Sequence, residues 1–325
     1  MKLFALNASR DFGARVAEAL GSPLAEHEER EFEDGEHKAR PLTGVRGEDV
    51  YVLQSLHGDP AQGVNERLAR LLFFLATVRQ AGAARVTAVI PYLAYARKDR
   101  QTKPRDPVTT RYLAQLLEAM GIDAVITLEV HNRAAFQNAF RCQAHPLDTR
   151  RLFAAHIRGR CENDPVVVAS PDPGGVKRAQ GFQETLAALL DRPVGAAFVE
   201  KRRSEGVVSG EALVGDVAGA SVWLMDDLIS SGGTLARAAA ACRRQGAARV
   251  VGLAAHGLFT GDAGRVLSDS ALERILITDT VPPDRLDPAV AEQRLEIVSA
   301  APLFAEAIRR THKGGSLTEL LEGPG

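Results

Sequence analysis

Short β-rich runs alternate with Ala/Leu/Arg-rich helical runs along almost the whole chain, and this alternation limits the fold more than any other feature. Candidate strands lie at residues 49–54, 85–90, 124–128, 165–169, 222–225, 249–254 and 274–278. Helical runs such as 65–80, 109–120 and 235–245 separate several of them. Strands joined by crossover helices specify mostly parallel sheets covered on both faces, hence an α/β fold. The pattern also recurs. Residues 79–91, RQAGAARVTAVIP, return as residues 243–255, RRQGAARVVGLAA, about half a chain further on. Gly82 and Gly246 stand where a helix C-cap takes positive φ. Helix-Gly-strand joints resemble one another in any α/β protein, but 325 residues also suit two similar domains. The expected division is 1–147 and 148–301, with the terminal segment 302–325 packing back on the first domain.

Bulk properties exclude more than they suggest. The formal net charge is −1, so no global field points to nucleic acid or to a membrane surface. Cys142, Cys161 and Cys242 are odd in number and lack CxxC spacing, which implies neither a disulfide framework nor a zinc site. The apolar run at the N-terminus is too short for a signal peptide, and stretches such as 71–76 are too short to span a bilayer. A cytoplasmic location is expected.

The stretch MDDLISSGGTL, residues 225–235, carries the most local chemistry. Asp226 and Asp227 follow an apolar run, and Ser230, Ser231, Gly232, Gly233 and Thr234 lead into a helical one. In an open parallel sheet, ligands bind beyond the carboxyl ends of strands. Consecutive backbone N–H groups, hydroxyls and a helix N-terminus make a phosphate cradle there. Two acids beside that cradle would repel the same phosphate, so sugar hydroxyls or a magnesium shell are their natural partners. A helix cap alone would need just one of these residues. The combination points to a sugar phosphate.

That stretch is similar to the phosphoribosyl diphosphate (PRPP) motif of the type I phosphoribosyltransferase fold, which leaves synthesis and use of PRPP both open. Further segments resemble the ribose-phosphate pyrophosphokinase (PRPP synthetase) family, in order from about residue 31 to 321. Residues 88–121 look like its ATP loop, with Arg97, Lys98, Asp99 and Arg100 toward the nucleotide. Residues 127–140 resemble the family's strand ending in a magnesium-binding histidine, here His131. Residues 166–182 match its pyrophosphate loop, with Asp172, Pro173, Gly174 and Gly175. Residues 198–210 correspond to its catalytic loop, with Lys201 and Arg203. EFEDGE, residues 31–36, resembles the segment in which Phe32 stacks on adenine while Asp34 and Glu36 bond its edge, in a neighbouring subunit's ATP site.

The resemblance implies two phosphoribosyltransferase-type domains with the active site between them, and a homo-oligomer with its ATP site at a subunit interface. It implies transfer of the β,γ-diphosphoryl group of MgATP to the 1-hydroxyl of ribose 5-phosphate, giving PRPP and AMP. Lys201, Arg203 and His131 would be catalytic, His131 and Asp172 would hold Mg2+, and residues 226–234 would hold ribose 5-phosphate. A PRPP-consuming phosphoribosyltransferase and a non-catalytic regulatory subunit are the alternatives; the first leaves residues 31–36, 88–121 and 198–210 idle.

Four departures stand out. Ser230-Ser231 replaces the family's Asp-Thr, and Lys98 replaces the glutamine of Arg-Gln-Asp. Glu129 replaces an aspartate before His131, with Asn132-Arg133 in place of small residues after it. Leu56-His57-Gly58-Asp59 replaces a Thr-containing turn near the phosphate-activation site, so a chain without phosphate activation, dimeric or tetrameric, is expected.

Overall fold

Strand–helix alternation resolves into two mostly parallel sheets that share a five-strand order in this computed structural model, which describes residues 1–161, 164–204 and 207–323, with the side chains of 201–211 outside the description. The first unit comprises Met1–Asp148 and the chain from Ala300 onward; the second is Thr149–Ser299.

In chain order the first unit contains β1 (Lys2–Ala5), α1 (Arg10–Leu20), β2 (His27–Glu31), β3 (His37–Pro41), β4 (Asp49–Leu53) and α2 (Val64–Gln80). It continues through β5 (Arg85–Ile90), α3 (Thr109–Ala119), β6 (Ala124–Leu128), α4 (Arg133–Ala139) and β7 (Gln143–Leu147). Its sheet runs β1-β4-β5-β6-β7 and is parallel throughout, while β2 and β3 form a separate antiparallel hairpin. Val50, Val52, Val86, Ala88 and Ile90 pack against Leu71, Phe74, Leu75 and Leu113. Burial on both faces is why these strands read as near-continuous apolar runs.

The second unit contains α5 (Arg150–Ile157), β8 (Val166–Ser170), α6 (Val176–Leu190), β9 (Gly195–Ser204), β10 (Val207–Val214), β11 (Ser221–Ile229) and α7 (Gly233–Arg244). Then come β12 (Arg249–Gly257), α8 (Ala263–Ser268), β13 (Arg274–Thr278), α9 (Pro288–Arg294) and β14 (Leu295–Val298). Its sheet order is β10-β9-β8-β11-β12-β13-β14, antiparallel only where β9 meets β10. Trp223, Met225, Val251 and Leu253 face Phe153, Phe182 and Leu186, and Val222, Leu224 and Val250 face Leu235, Ala238 and Cys242.

The chain returns to the first unit as α10 (Ala301–Lys313) and α11 (Leu317–Glu322). Phe304 meets Phe12 of α1 edge-on at 5.5 Å, and His312 Nδ1 lies 2.7 Å from Asp49 Oδ2.

The duplicated sequence sits at equivalent joints, α2 to β5 and α7 to β12. Gly82 has φ +94° and Gly246 φ +85°, as the C-cap reading requires. The carbonyls of Gly82 and Gly246 accept N–H bonds from Gly47 and Gly219, each at 2.8 Å. Strands β1-β4-β5-β6-β7 thus have their counterparts in β8-β11-β12-β13-β14, each set with a hairpin inserted after its first strand.

Two boundaries differ from expectation at the point of interest. β11 does not stop at Met225: Asp226 pairs with Ala254 and Leu228 with His256, so both acids lie inside the strand. Pairing with the long β12 carries polar residues into a strand that propensity alone would end. Helix α7 starts at Gly233, so Gly233 and Thr234 belong to its first turn rather than to the preceding loop.

Candidate active site

In the second unit β8 and β11 are parallel neighbours, with Ala169 opposite Leu224, so their carboxyl ends open on one edge of the sheet. After β8, Asp172 caps a short turn: its Oδ1 accepts the Gly175 N–H at 3.1 Å, and its carbonyl accepts Ser170 Oγ at 2.6 Å. Pro173, Gly174 and Gly175 form that single 3-10 turn, and α6 follows at Val176. Arg178, in the first turn of α6, reaches back to the acids of β11. Its Nη1 lies 3.9 Å from Asp226 Oδ1 and its Nη2 3.7 Å from Asp227 Oδ2. These are ion-pair distances rather than hydrogen bonds.

The two acids are unequal. Asp227 is 5% exposed, and its Oδ1 accepts the Leu228 N–H at 3.0 Å. Burial, then the adjacent Asp227 carboxylate, pushes the Asp226 carboxyl well above its ordinary range, with Arg178 acting against them. Desolvation and like charge both disfavour the ionised form, so this acid gains most from a polar partner.

Beyond β11 the chain turns through Ser230, Ser231 and Gly232 into α7. Ser230 Oγ lies 2.8 Å from Thr260 Oγ1, and the Ser230 carbonyl accepts the Thr260 N–H at 2.9 Å. Gly232 has φ +75°, and a Cβ there would come within 2.8 Å of Leu267 Cδ2, so only glycine fits the turn. Gly232 is the N-cap of α7 and supplies no side-chain cap. The first-turn N–H groups therefore remain available to an anion.

In the first unit, loop 97–106 follows β5. Asp106 Oδ2 gathers Lys98 Nζ at 2.7 Å, Thr102 Oγ1 at 2.7 Å, and the N–H groups of Thr102 and Lys103 at 3.2 and 3.0 Å. The Lys98 and Thr102 side chains hold the Asp106 carboxyl far below its usual range. Arg97 and Arg100 are exposed, and Asp99 accepts Asn132 Nδ2 at 2.7 Å. His131 is exposed between β6 and α4. Tyr95, Arg105 and Glu129 take positive φ of 63°, 70° and 41° without being glycine; Tyr95 precedes this loop, Arg105 lies within it and Glu129 precedes His131. Such backbone persists only where surrounding contacts fix it, and it concentrates at functional sites.

Phe32, Asp34 and Glu36 occupy the exposed tip of the β2–β3 hairpin. The Arg30 guanidinium lies over the Phe32 ring at 5.2 Å, and Asp34 Oδ1 accepts the Glu36 N–H at 3.1 Å. Lys201 and Arg203 fall on β9, opposite Glu211 and Val208 of β10; their side chains lie outside the described residues.

Residues 1–121 match the family model described as the N-terminal domain of ribose phosphate pyrophosphokinase, and residues 209–322 match the phosphoribosyl synthetase-associated domain. A ribose-phosphate pyrophosphokinase of Caldanaerobacter subterraneus is 38% identical over 98% of this chain and 97% of its own length. The chain belongs to the ribose-phosphate pyrophosphokinase family. A second member, from Hyphomonas neptunium, is 36% identical over 99% of this chain and 100% of its own. Among solved structures, the phosphoribosylpyrophosphate synthetase of Mycobacterium smegmatis superposes with a TM-score of 0.85 at 31% identity, covering 97% of this chain and 99% of that one.

For a ribose-phosphate pyrophosphokinase, the informative additions are residues whose side-chain partners the motifs do not name. Arg178 joins the two acids of β11 to the turn after β8, Thr260 anchors Ser230, and Asp106 closes the loop around Lys98. Arg178 alone had a signal, as a cation in the first turn after Pro-Gly-Gly. The bond from Lys98 to Asp106 makes a direct prediction. In Asp106→Ala, amide exchange at Thr102 and Lys103 is expected to accelerate at least about tenfold, since both amides lose their acceptor. Hydrogen exchange read by mass spectrometry on peptides spanning 98–106 checks it, and unchanged exchange would mean that other contacts hold the loop.

Proposed function

We propose that the protein is a ribose-phosphate diphosphokinase that joins ATP and ribose 5-phosphate into PRPP and AMP. The anomeric hydroxyl oxygen of ribose 5-phosphate attacks the β-phosphorus, the bond from that phosphorus to the α,β-bridging oxygen breaks, and AMP leaves with that oxygen. The hydroxyl proton is lost in the process. Such a transfer asks little covalent work of the protein, so positioning and charge neutralisation carry the catalysis.

Full-length membership of the ribose-phosphate pyrophosphokinase family carries the direction of the reaction, and the arrangement around β11 supports the sugar-phosphate site: two acids, one of them with a raised carboxyl, followed by an uncapped helix N-terminus behind Gly232. In this reading Asp226 and Asp227 take the ribose hydroxyls, and residues 230–234 take the 5-phosphate. The turn at Asp172–Gly175 takes the diphosphate. On the nucleotide side, Phe32, Asp34 and Glu36 serve adenine, and Arg97, Asp99 and Arg100 serve the phosphates or the cation around them. Lys98, committed to Asp106 in the structure, acts through the loop's shape. Lys201 and Arg203 stabilise charge on the transferring diphosphoryl group.

Magnesium suits these residues. Among the described residues no group of three or more His, Cys, Asp or Glu converges as a metal cage. Mg2+ asks for none, because it keeps waters and binds through one or two side chains plus substrate phosphates. His131 and Asp172 are each offered to a magnesium ion or its waters. The cation would supply charge neutralisation on the β- and γ-phosphates.

Mixing the protein with MgATP and ribose 5-phosphate tests the reading: AMP and PRPP are expected in equal amounts. Consumption of PRPP with a nucleobase, and no AMP from ATP, would establish the transferase alternative instead.

A further inference from the structure

Both ends of the Asn132 carboxamide are in use. Oδ1 accepts the Ala135 N–H at 3.1 Å and caps α4, while Nδ2 donates to Asp99 Oδ2 at 2.7 Å across 33 residues of sequence. The capping end fixes where the chain leaves the His131 turn for its helix. The donor end holds a carboxylate of the loop after β5. Asp99 stands between Lys98, whose ammonium is spent on Asp106, and the exposed Arg100. The bond therefore ties a loop closed on itself to the segment that carries His131.

We infer that Asn132 is a positioning residue: it fastens the 97–100 segment to the His131 end of β6, so that the phosphates of a magnesium nucleotide meet charges already in place. The inference rests on the function proposed above. The bond itself, the backbone it joins and the energetics of ligand binding support it. The donor is a neutral amide, so the bond fixes the Asp99 side chain without setting another cation beside it. The two segments it joins are entered through left-handed residues, Tyr95 at φ +63° before the loop and Glu129 at φ +41° before His131. Backbone of that kind has to be held by its surroundings, and a cross-link between the two supplies part of that hold. Finally, a ligand that need not order its loop keeps the corresponding affinity.

The test separates the cap from the tie. Asn132→Ser retains a capping oxygen, but its side chain is too short to bridge to Asp99. Binding of Mg2+ with α,β-methylene-ATP is measured by calorimetry, because this analogue cannot release AMP. The Asn132–Asp99 bond is exposed to solvent and reaches the nucleotide only through Asp99, so its loss is expected to raise Kd about fivefold, with KM for ribose 5-phosphate and the melting temperature unchanged. Asn132→Asp also caps, but it sets a carboxylate against Asp99 and is expected to weaken binding further. A Kd for the serine variant less than about twofold above the parent's would overturn the inference. So would a loss shared equally by KM for ribose 5-phosphate, which would mark a general structural role. A parent protein that binds the analogue yet forms no PRPP from ATP would sink the proposed reaction while leaving this comparison standing.

Discussion

Lys201→Ala is expected to lower kcat for PRPP formation by about 10²–10³-fold, with KM for MgATP and for ribose 5-phosphate each changing less than about threefold. The stage at which the charge matters decides the split between kcat and KM. In the proposed reaction, Mg2+ and the arginines of loop 97–100 would already neutralise part of the triphosphate's charge in the ground state. As the diphosphoryl group moves between oxygens, charge shifts onto the bridging oxygen and the equatorial oxygens. A cation aimed at that distribution stabilises the transition state more than either bound substrate. Lys201 and Arg203 lie two register positions apart on β9, the strand next to β8, whose carboxyl end carries the Asp172 turn. Steady-state kinetics with both substrates varied measures the split. A large rise in KM for MgATP with kcat intact would assign Lys201 to ground-state binding and refute the transition-state role.

The chain's duplicated architecture was legible because its signals are local and repeated. Gly82 and Gly246 are required by helix ends at positive φ, and the buried strands around Val86 and Val250 leave apolar runs that few other arrangements accept. The β2–β3 hairpin was hidden because residues 27–41 carry charged and polar side chains along most of both strands, so no apolar alternation marks them. The extension of β11 through Asp226 and Asp227 was hidden for another reason. It depends on pairing with β12, a contact with no trace in the sequence around residue 226. At the site, side chains presented by a turn were easy to see, as with Ser230–Thr234. Residues that act on other side chains were not: Arg178, Thr260, Asp106 and Asn132 show their part only when segments distant in sequence are brought together.

Asp227→Asn is expected to raise KM for ribose 5-phosphate by about 10- to 100-fold, the range for losing hydrogen bonds to a charged acceptor, with KM for MgATP nearly unchanged. The buried carboxylate faces the Arg178 guanidinium, and the amide would leave that cation with weaker compensation. The same substitution has a signature in pH. Asp226 is raised first by burial and second by Asp227, so removing the second charge lowers it. Sugar hydroxyls are best accepted by an ionised Asp226, so the parent should lose affinity for ribose 5-phosphate as pH falls through that raised value. In Asp227→Asn this acid limb should move to lower pH, even though binding is weaker at every pH. Folding stability follows the opposite sense. Because the folded-state carboxyl titrates above the unfolded one, its contribution is present below about pH 4 and is lost as pH rises through the raised value. Asp226→Asn should therefore melt higher than the parent at about pH 8 and the same as the parent at about pH 4, while losing ribose 5-phosphate binding. An equal shift at both pH values would show that packing, not ionisation, sets the difference, and a selective loss of ATP affinity in Asp227→Asn would remove these acids from the sugar.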